Sequence, residues 1–376
     1  MIEKSSFALK GSYKPLQIHS DDVISQQDKN KIIEVTVMIR RQRKLPKSIL
    51  KGKILSRKIY QQKYAASLAD AEKVEAFAHS YGLSTVSVDL DRRSVILRGT
   101  VGDFEMAFNT SVQGVNNFMA LTSQIQIPAS LSDIITGVFG MDSRPVARPM
   151  FQVAKNEGNI ISTRASAQSF TANKLATIYG FPPDATGKGQ CIGIIELGGG
   201  FKQADITKYF KGLGLTVPTV KAISVDGANN SPSTPDGADG EVMLDIEVAG
   251  AVANGASIAV YFAPNTDQGF LDAITQAVHD TVNKPSVISI SWGAAKVNWT
   301  TQALYNYNEA FKTAAALGVS ICVACGDSGS RDGETDGKVH VDFPASSPYA
   351  LACGGTTLIV PDNNISQKTT VFFDVV

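Results

Sequence analysis

The 376-residue sequence predicts two bodies, an α+β module in front and an α/β domain with a mostly parallel sheet behind it. Behind residue 169, runs that are almost wholly apolar (190–196, 257–263, 286–291, 319–324) alternate with helical patterns. Strands apolar on both faces and separated by helices belong to a parallel sheet covered on both sides. Ahead of residue 140 the elements read β-α-β-β-α-β, the compact split βαβ arrangement.

In the front module, residues 1–30 are polar without clear period. The alternating run from Ile32 is a strand. Residues 41–63 hold nine Lys or Arg and no acid. That run suits an acidic partner, nucleic acid or a membrane surface, and equally a solvated loop. A helix over 69–81 ends at Tyr-Gly. Residues 84–90 and 93–99 form a strand pair turned at Asp91-Arg92, and a short helix covers 101–108. Residues 117–128 read as a strand and 130–139 as a third helix. Two prolines and many small residues then mark an exposed linker from Met141 through Gln168. The divisions are 1–143, a 144–168 linker holding a processing site, and 169–376.

The second domain continues with helices at 171–179 and from about Gln203, then one over 239–255, then 268–280 and 301–317. A short strand near 350–353 closes the run. The helix over 239–255 carries the most chemistry. Asp239 is its expected N-cap and Asn254-Gly255 its stop. Glu241 and Asp245 are four apart and share a face, expected to include Leu244, Val248 and Val252. The other side is also apolar, so the helix should be buried nearly all round. Two interior carboxylates are costly unless they share a proton or find partners. They therefore read as a coupled acid pair with one raised pKa, against the plainer reading of two solvated surface acids.

In parallel sheets, ligands gather beyond the carboxyl ends of the strands. Those ends place Glu196, Trp292, Asp327 and Ser328 on one edge. The histidines (His19, His79, His279, His340) lie at none of them. Gly326-Asp-Ser-Gly329 tempts a trypsin-like reading with Ser328 as nucleophile, but that architecture is all-β. Asp327 serves better as an acid donating to a developing oxyanion, which needs it protonated.

Equal acid and base counts (35 each) give no global case for nucleic acid. No apolar run is long enough to cross a membrane, and the N-terminus lacks the form of a secretory signal. Four cysteines make no disulfide scaffold. Cys191 and Cys353 read as core residues, and Cys322-Val-Ala-Cys325 as strand packing rather than a redox pair.

Together, Ile-Ile-Glu196-Leu-Gly-Gly-Gly, Gly240-Glu241-Val-Met-Leu-Asp245, Ser289-Ile-Ser-Trp292-Gly, Gly326-Asp327-Ser-Gly-Ser, His340-Val-Asp342-Phe-Pro-Ala and Ala352-Cys-Gly-Gly-Thr356 resemble the sedolisins, or serine-carboxyl peptidases, of kumamolisin type. Val74-Glu-Ala-Phe-Ala, Gly99-Thr-Val and Arg144-Pro-Val-Ala-Arg-Pro resemble the family's activation pro-domain. The resemblance implies a subtilisin-like fold behind a ferredoxin-like pro-domain, and peptide-bond cleavage at low pH through an acyl-enzyme. By position, Glu241 is implied as general base, Asp245 as its coupled partner and Asp327 as oxyanion acid. Glu196 and Trp292 extend the proton network, and Trp292 and Asp342 lie by the substrate.

The family's nucleophile lies in a Ser-Gly-Thr-Ser motif, and a calcium loop follows it. Neither occurs in these 376 residues. The sequence therefore predicts a chain cut short within the catalytic domain, with no activity of its own and a marginal second domain. Calcium is expected for a complete family domain, at a site outside this chain, and no metal site within it. Expected partners are a peptide or protein substrate and the chain's own pro-domain. The family implies an extracellular location. A second reading is a pro-domain that binds and inhibits a related peptidase.

Overall fold

A computed structural model describes residues 6–16, 22–150, 170–233, 237–355, 357–359 and 370–372. Most of the expected linker, and His19, lie outside the described residues.

In the rear half, six strands form one sheet in the order Val220–Ser224, Ser257–Phe262, Cys191–Glu196, Val287–Ile290, Ser320–Ala324, Leu351–Cys353. Every neighbouring pair is parallel. Successive side chains point to opposite faces. Ile194 packs with Val242 and Ile246 of the helix Ala238–Val252 and with Phe210 of Gln203–Gly212. Ile195 and Cys191 pack on the other face, with Phe270 of Asp267–His279 and Phe311 of Thr301–Leu317. The chain builds outward from Cys191–Glu196 to one side, then returns past it to Val287–Ile290. That reversal opens a crevice at the carboxyl ends of those two adjacent strands.

The front module is a four-stranded antiparallel sheet in the order Ser84–Asp89, Ser94–Thr100, Ile32–Ile39, Ile135–Phe139. The helices Leu68–Ser80 and Val101–Ala107 cover it, the latter opened by a capping box between Thr100 and Asp103. The β-α-β-β-α-β order holds, but its last strand is not the one expected. Residues 130–139, read as a helix, form a 3-10 turn at Ala129–Leu131 and then the strand Ile135–Phe139. Ile134, Ile135, Val138 and Phe139 suit either period in so short a run, and pairing with Ile32–Ile39 decides it. Residues 117–128 contribute instead the hairpin strand Phe118–Leu121, paired with Val112–Val115, and Gln126–Pro128, paired with Ser6–Ala8. So the polar N-terminal stretch is not patternless: Ile24–Gln26 also joins the hairpin.

The two halves share a core. Met38 and Phe139 of the front sheet belong to the same cluster as Phe270, Trp299 and Tyr307. The edge strand Ile135–Phe139 finds its backbone partners in a helix. Gln302 donates to the carbonyl of Val138 (3.0 Å) and accepts from its N–H (3.2 Å), and Asn306 donates to the carbonyl of Thr136 (2.9 Å). A sheet edge is thereby closed against stray pairing.

Other expectations need correcting. Met141 and Met150 are 1% and 8% exposed, so the stretch from Met141 to Met150 is not an exposed hinge. Cys353 lies exposed on the edge strand rather than in the core, while Cys191 is buried as expected. The helix Ala238–Val252 starts from Gly237, and Asp239 sits inside its first turn, accepting from the Ser233 N–H (2.8 Å). Leu244 and Val248 do not share the buried face with the acids. They are 41% and 43% exposed, so the helix has an outer stripe.

Candidate active site

Glu241 is 1% exposed, which removes the reading of two solvated surface acids. Its helix is pinned against the strand end that carries Glu196. In the turn after Glu196, Gly199 has φ +68°, and a Cβ there would lie 2.6 Å from the Ala238 carbonyl carbon and 2.7 Å from the Asp239 N. Only glycine permits this approach. It brings the first turn of the acid helix over the crevice.

Three carboxyls meet there. Ser291, just past Val287–Ile290, donates to Asp245, 2.8 and 2.9 Å from its two oxygens. Trp292 is 4% exposed, and its indole N–H donates to Oε2 of Glu196 (2.8 Å). Glu196 is fully buried, and its Oε1 and the Oε2 of Glu241 have no hydrogen-bond partner among the described residues. Burial pushes Glu241 up to about 8, with the charges of Asp245 and then Asp327 adding to it. Burial raises Asp245 to about 6 against the opposing bond from Ser291. Glu196 is raised well above the carboxylate range, first by burial and then by Asp245. Such a cluster holds protons at pH values where ordinary carboxyls are ionised, and can pass one between its members.

Asp327 lies exposed at the end of Ser320–Ala324, near enough for its charge to act on Glu241. Ser328 is also exposed. Its hydroxyl accepts from Nη2 of Arg148 (3.4 Å).

Across the crevice runs the chain that leaves the front module. Arg148–Pro149 pairs antiparallel with Trp292–Ala295, Arg148 opposite Gly293 and Pro149 opposite Trp292. The Met150 N–H donates to the carbonyl of Ser291 (2.8 Å). The Met150 sulfur packs by Gly326. A segment held by main-chain bonds to a cleft strand is bound as an added β-strand.

Arg148 is anchored by Asp332, donating to its Oδ1 (2.7 Å) and carbonyl (2.8 Å). Asp332 is 3% exposed and adjoins Asp342, which lies on the strand Asp342–Phe343 beside Trp292–Ala295. Burial, then the charge of Asp332, takes Asp342 up to about 7. Gly293 makes room for this carboxyl, since a Cβ there would meet Asp342 Oδ1 at 2.5 Å.

The structure thus gathers Glu196, Glu241, Asp245 and Trp292, with Asp327 at the rim and Asp342 in a second acidic cluster. Sequence reasoning missed Ser291 as the bridge to Asp245, Asp332 as the anchor of Arg148, and the cleft strand Trp292–Ala295. Ser291-Trp-Gly293 at a strand end was the available signal for the first and last. No group of three or more His, Cys, Asp or Glu side chains among the described residues is placed to hold a metal ion. No helix among them is long and apolar enough to cross a membrane.

Residues 23–144 match the family described as pro-kumamolisin, activation domain, and residues 222–371 match the subtilase family. Kumamolisin of Bacillus sp. (strain MN-32) is 44% identical over 355 residues, covering 90% of this chain and 64% of the relative. Sedolisin of Pseudomonas sp. (strain 101) is 28% identical over 337 residues, covering 85% and 57%. A solved structure of Pseudomonas sedolisin complexed with pseudo-iodotyrostatin aligns with TM-score 0.46 at 28% identity, over 53% of this chain and 56% of that one. The chain thus spans less than two thirds of the length of these relatives. With an activation domain ahead of a subtilase-like domain, it belongs to the sedolisins, the serine-carboxyl peptidases, and to their kumamolisin type.

Proposed function

We propose that the chain is the pro-form of an acid-acting serine-carboxyl endopeptidase. The observation that carries this is the acid cluster of buried Glu241 and Glu196 with half-buried Asp245, beside a segment, Arg148–Met150, that pairs with the cleft as a substrate strand would. In this reading the cluster's resident proton moves to Asp245 or Glu196, which frees Glu241 to take the proton of a serine nucleophile. Asp245, held by Ser291, shares that proton, and Glu196 with Trp292 extends the relay. Asp327 donates to the oxyanion of the tetrahedral intermediate, which a carboxyl does only while protonated, so the reaction favours acid. Asp342 and the backbone of Trp292 lie along the bound peptide.

In this reading residues 1–143 are the activation domain, 144–168 the linker with the processing site and 169–376 catalytic domain. The pairing of Arg148–Pro149 with the cleft strand supports the bond after Met150 as that site. The 376 residues contain no Ser-Gly-Thr-Ser tetrapeptide. We infer that this stretch alone does not cleave peptides, since a base without its nucleophile loses several orders of magnitude. Calcium belongs to the complete family domain, and an extracellular location follows the family.

Intact mass before and after incubation at acidic pH, with Glu241→Ala as control, tests the reading. Both chains should stay whole. Cleavage of the wild type but not the variant would place a working nucleophile within these residues and refute the inactivity.

A second reading is favoured by the interface. It carries charge pairs and side-chain bonds such as Arg41 to Glu309, as separable interfaces do. The front module would then bind and inhibit a related, complete peptidase. Titrating residues 1–143 into such an enzyme should give inhibition that varies with pH, and no inhibition at any pH would dismiss it.

A further inference from the structure

The basic run at 41–63 takes no part in the active-site reading. Part of it docks on the rear half, through Arg41 on Glu309 and the Leu55 N–H on the carbonyl of Ala316 (2.7 Å). Its first part, residues 41–49, borders a cavity of about 570 Å³ at the junction of the two halves. Six cations line it: Arg40, Arg41, Lys44, Lys47, Arg93 and Lys312.

Their counter-charges are few. The cavity's one acid, Glu309, is already shared by Arg41 and Lys312. Arg40 is paired with Asp70. Lys44, Lys47 and Arg93 have no ion pair among the described residues.

Arg93 is the unusual member. It is 2% exposed and held at φ 60° in the tight turn between two strands. Among the described residues its guanidinium makes a single long hydrogen bond, Nη1 to the carbonyl of Ile39 at 3.3 Å. Burial, and then the charge of Arg41, pushes it down to about 10. A buried cation without a partner is costly, and fork-shaped guanidinium donors match the oxygens of a phosphoryl group.

We propose that this cavity is a binding site for a short oligophosphate. Three cations without an acidic partner call for about three negative charges, more than one phosphate supplies. The volume accommodates several linked phosphoryl groups. Because Arg40, Lys44, Lys47 and Arg93 belong to the front module and Lys312 to the helix Thr301–Leu317, the ligand touches both halves. It therefore strengthens their docking and slows release of the front module.

The test is calorimetric titration of the full chain with inorganic tripolyphosphate at pH 7 and low salt, alongside inorganic phosphate. Arg93 is buried, so the exposed double variant K44Q/K47Q is the probe. Expected are saturable binding of tripolyphosphate, at least tenfold tighter than phosphate, and a tenfold or greater loss in the variant. Saturating tripolyphosphate should also raise the wild-type Tm by about 3 °C above a sodium chloride control of equal ionic strength. Equal affinity for wild type and variant would overturn the site. Phosphate binding as tightly as tripolyphosphate would overturn the ligand class.

Discussion

Breaking the Arg41–Glu309 pair should loosen the front module from the rest of the chain. The two side chains are 6% and 12% exposed. Arg41 donates through Nε to Glu309 Oε2 (3.0 Å), and through Nη2 to the Glu309 carbonyl (2.7 Å) and Thr313 Oγ1 (2.5 Å). Its Nη1 donates to the hydroxyl of Tyr60 (2.8 Å). Removing one partner of a buried pair costs about 3–5 kcal/mol, because the other charge is left unpaired. Lys312 also touches Glu309, so part of that loss is recovered. We expect Arg41→Met to destabilise the docked chain by about 2–4 kcal/mol. A double-mutant cycle with Glu309→Gln, read by urea denaturation at pH 7, should give a coupling above about 1 kcal/mol. The pH sign follows from Glu309, whose value lies below the ordinary one through Arg41 and Lys312 despite the opposing effect of burial. Its contribution is present above the unfolded value of 4.5 and is lost as pH falls through the depressed folded value. The coupling should therefore shrink in acid. A coupling below about 0.5 kcal/mol at pH 7, or one that grows in acid, would refute this reasoning.

Glu241→Gln should change how stability follows pH. With Glu241 raised from 4.5 to about 8, the folded wild type holds a proton that the unfolded chain releases, so stability falls as pH rises across that window. The variant should gain about 3–5 kcal/mol relative to wild type between pH 4.5 and 8, seen as diverging Tm profiles. Gly293→Ala would drive a methyl into Asp342 and should cost about 1–3 kcal/mol by denaturant titration. Arg148→Ala frees the cleft segment from Asp332 and should speed its cutting after Met150 by an added protease several-fold, measured by mass spectrometry.

Much of the fold follows from local pattern. Helix 301–317 and the central strands were legible because long periodic runs and unbroken apolar runs leave little choice. The strand Ile135–Phe139 was not, since five residues with Ile135, Val138 and Phe139 fit two periods and a long-range partner decides. The edge strand Val220–Ser224 was missed because it neither alternates nor runs apolar, and the cleft strand Trp292–Ala295 because Gly and Ala have little strand preference in so short a run. In the site, Glu241 and Asp245 stood out as acids on an apolar helix. Their face was misjudged because packing against Ile194 and Phe210, rather than the helix's own pattern, sets its rotation. Ser291 and Asp332 gave little signal, since a serine after a strand and an aspartate in a Gly-rich loop are ordinary. Their roles come from what the fold lays beside them.

Glu241 is buried and should keep its proton far above the usual range. An infrared difference titration of wild type against Glu241→Gln reads that proton directly from the carboxyl stretch. The protonated band should persist until about pH 8. Loss of the band near the ordinary glutamate value, about 4.3, would contradict it.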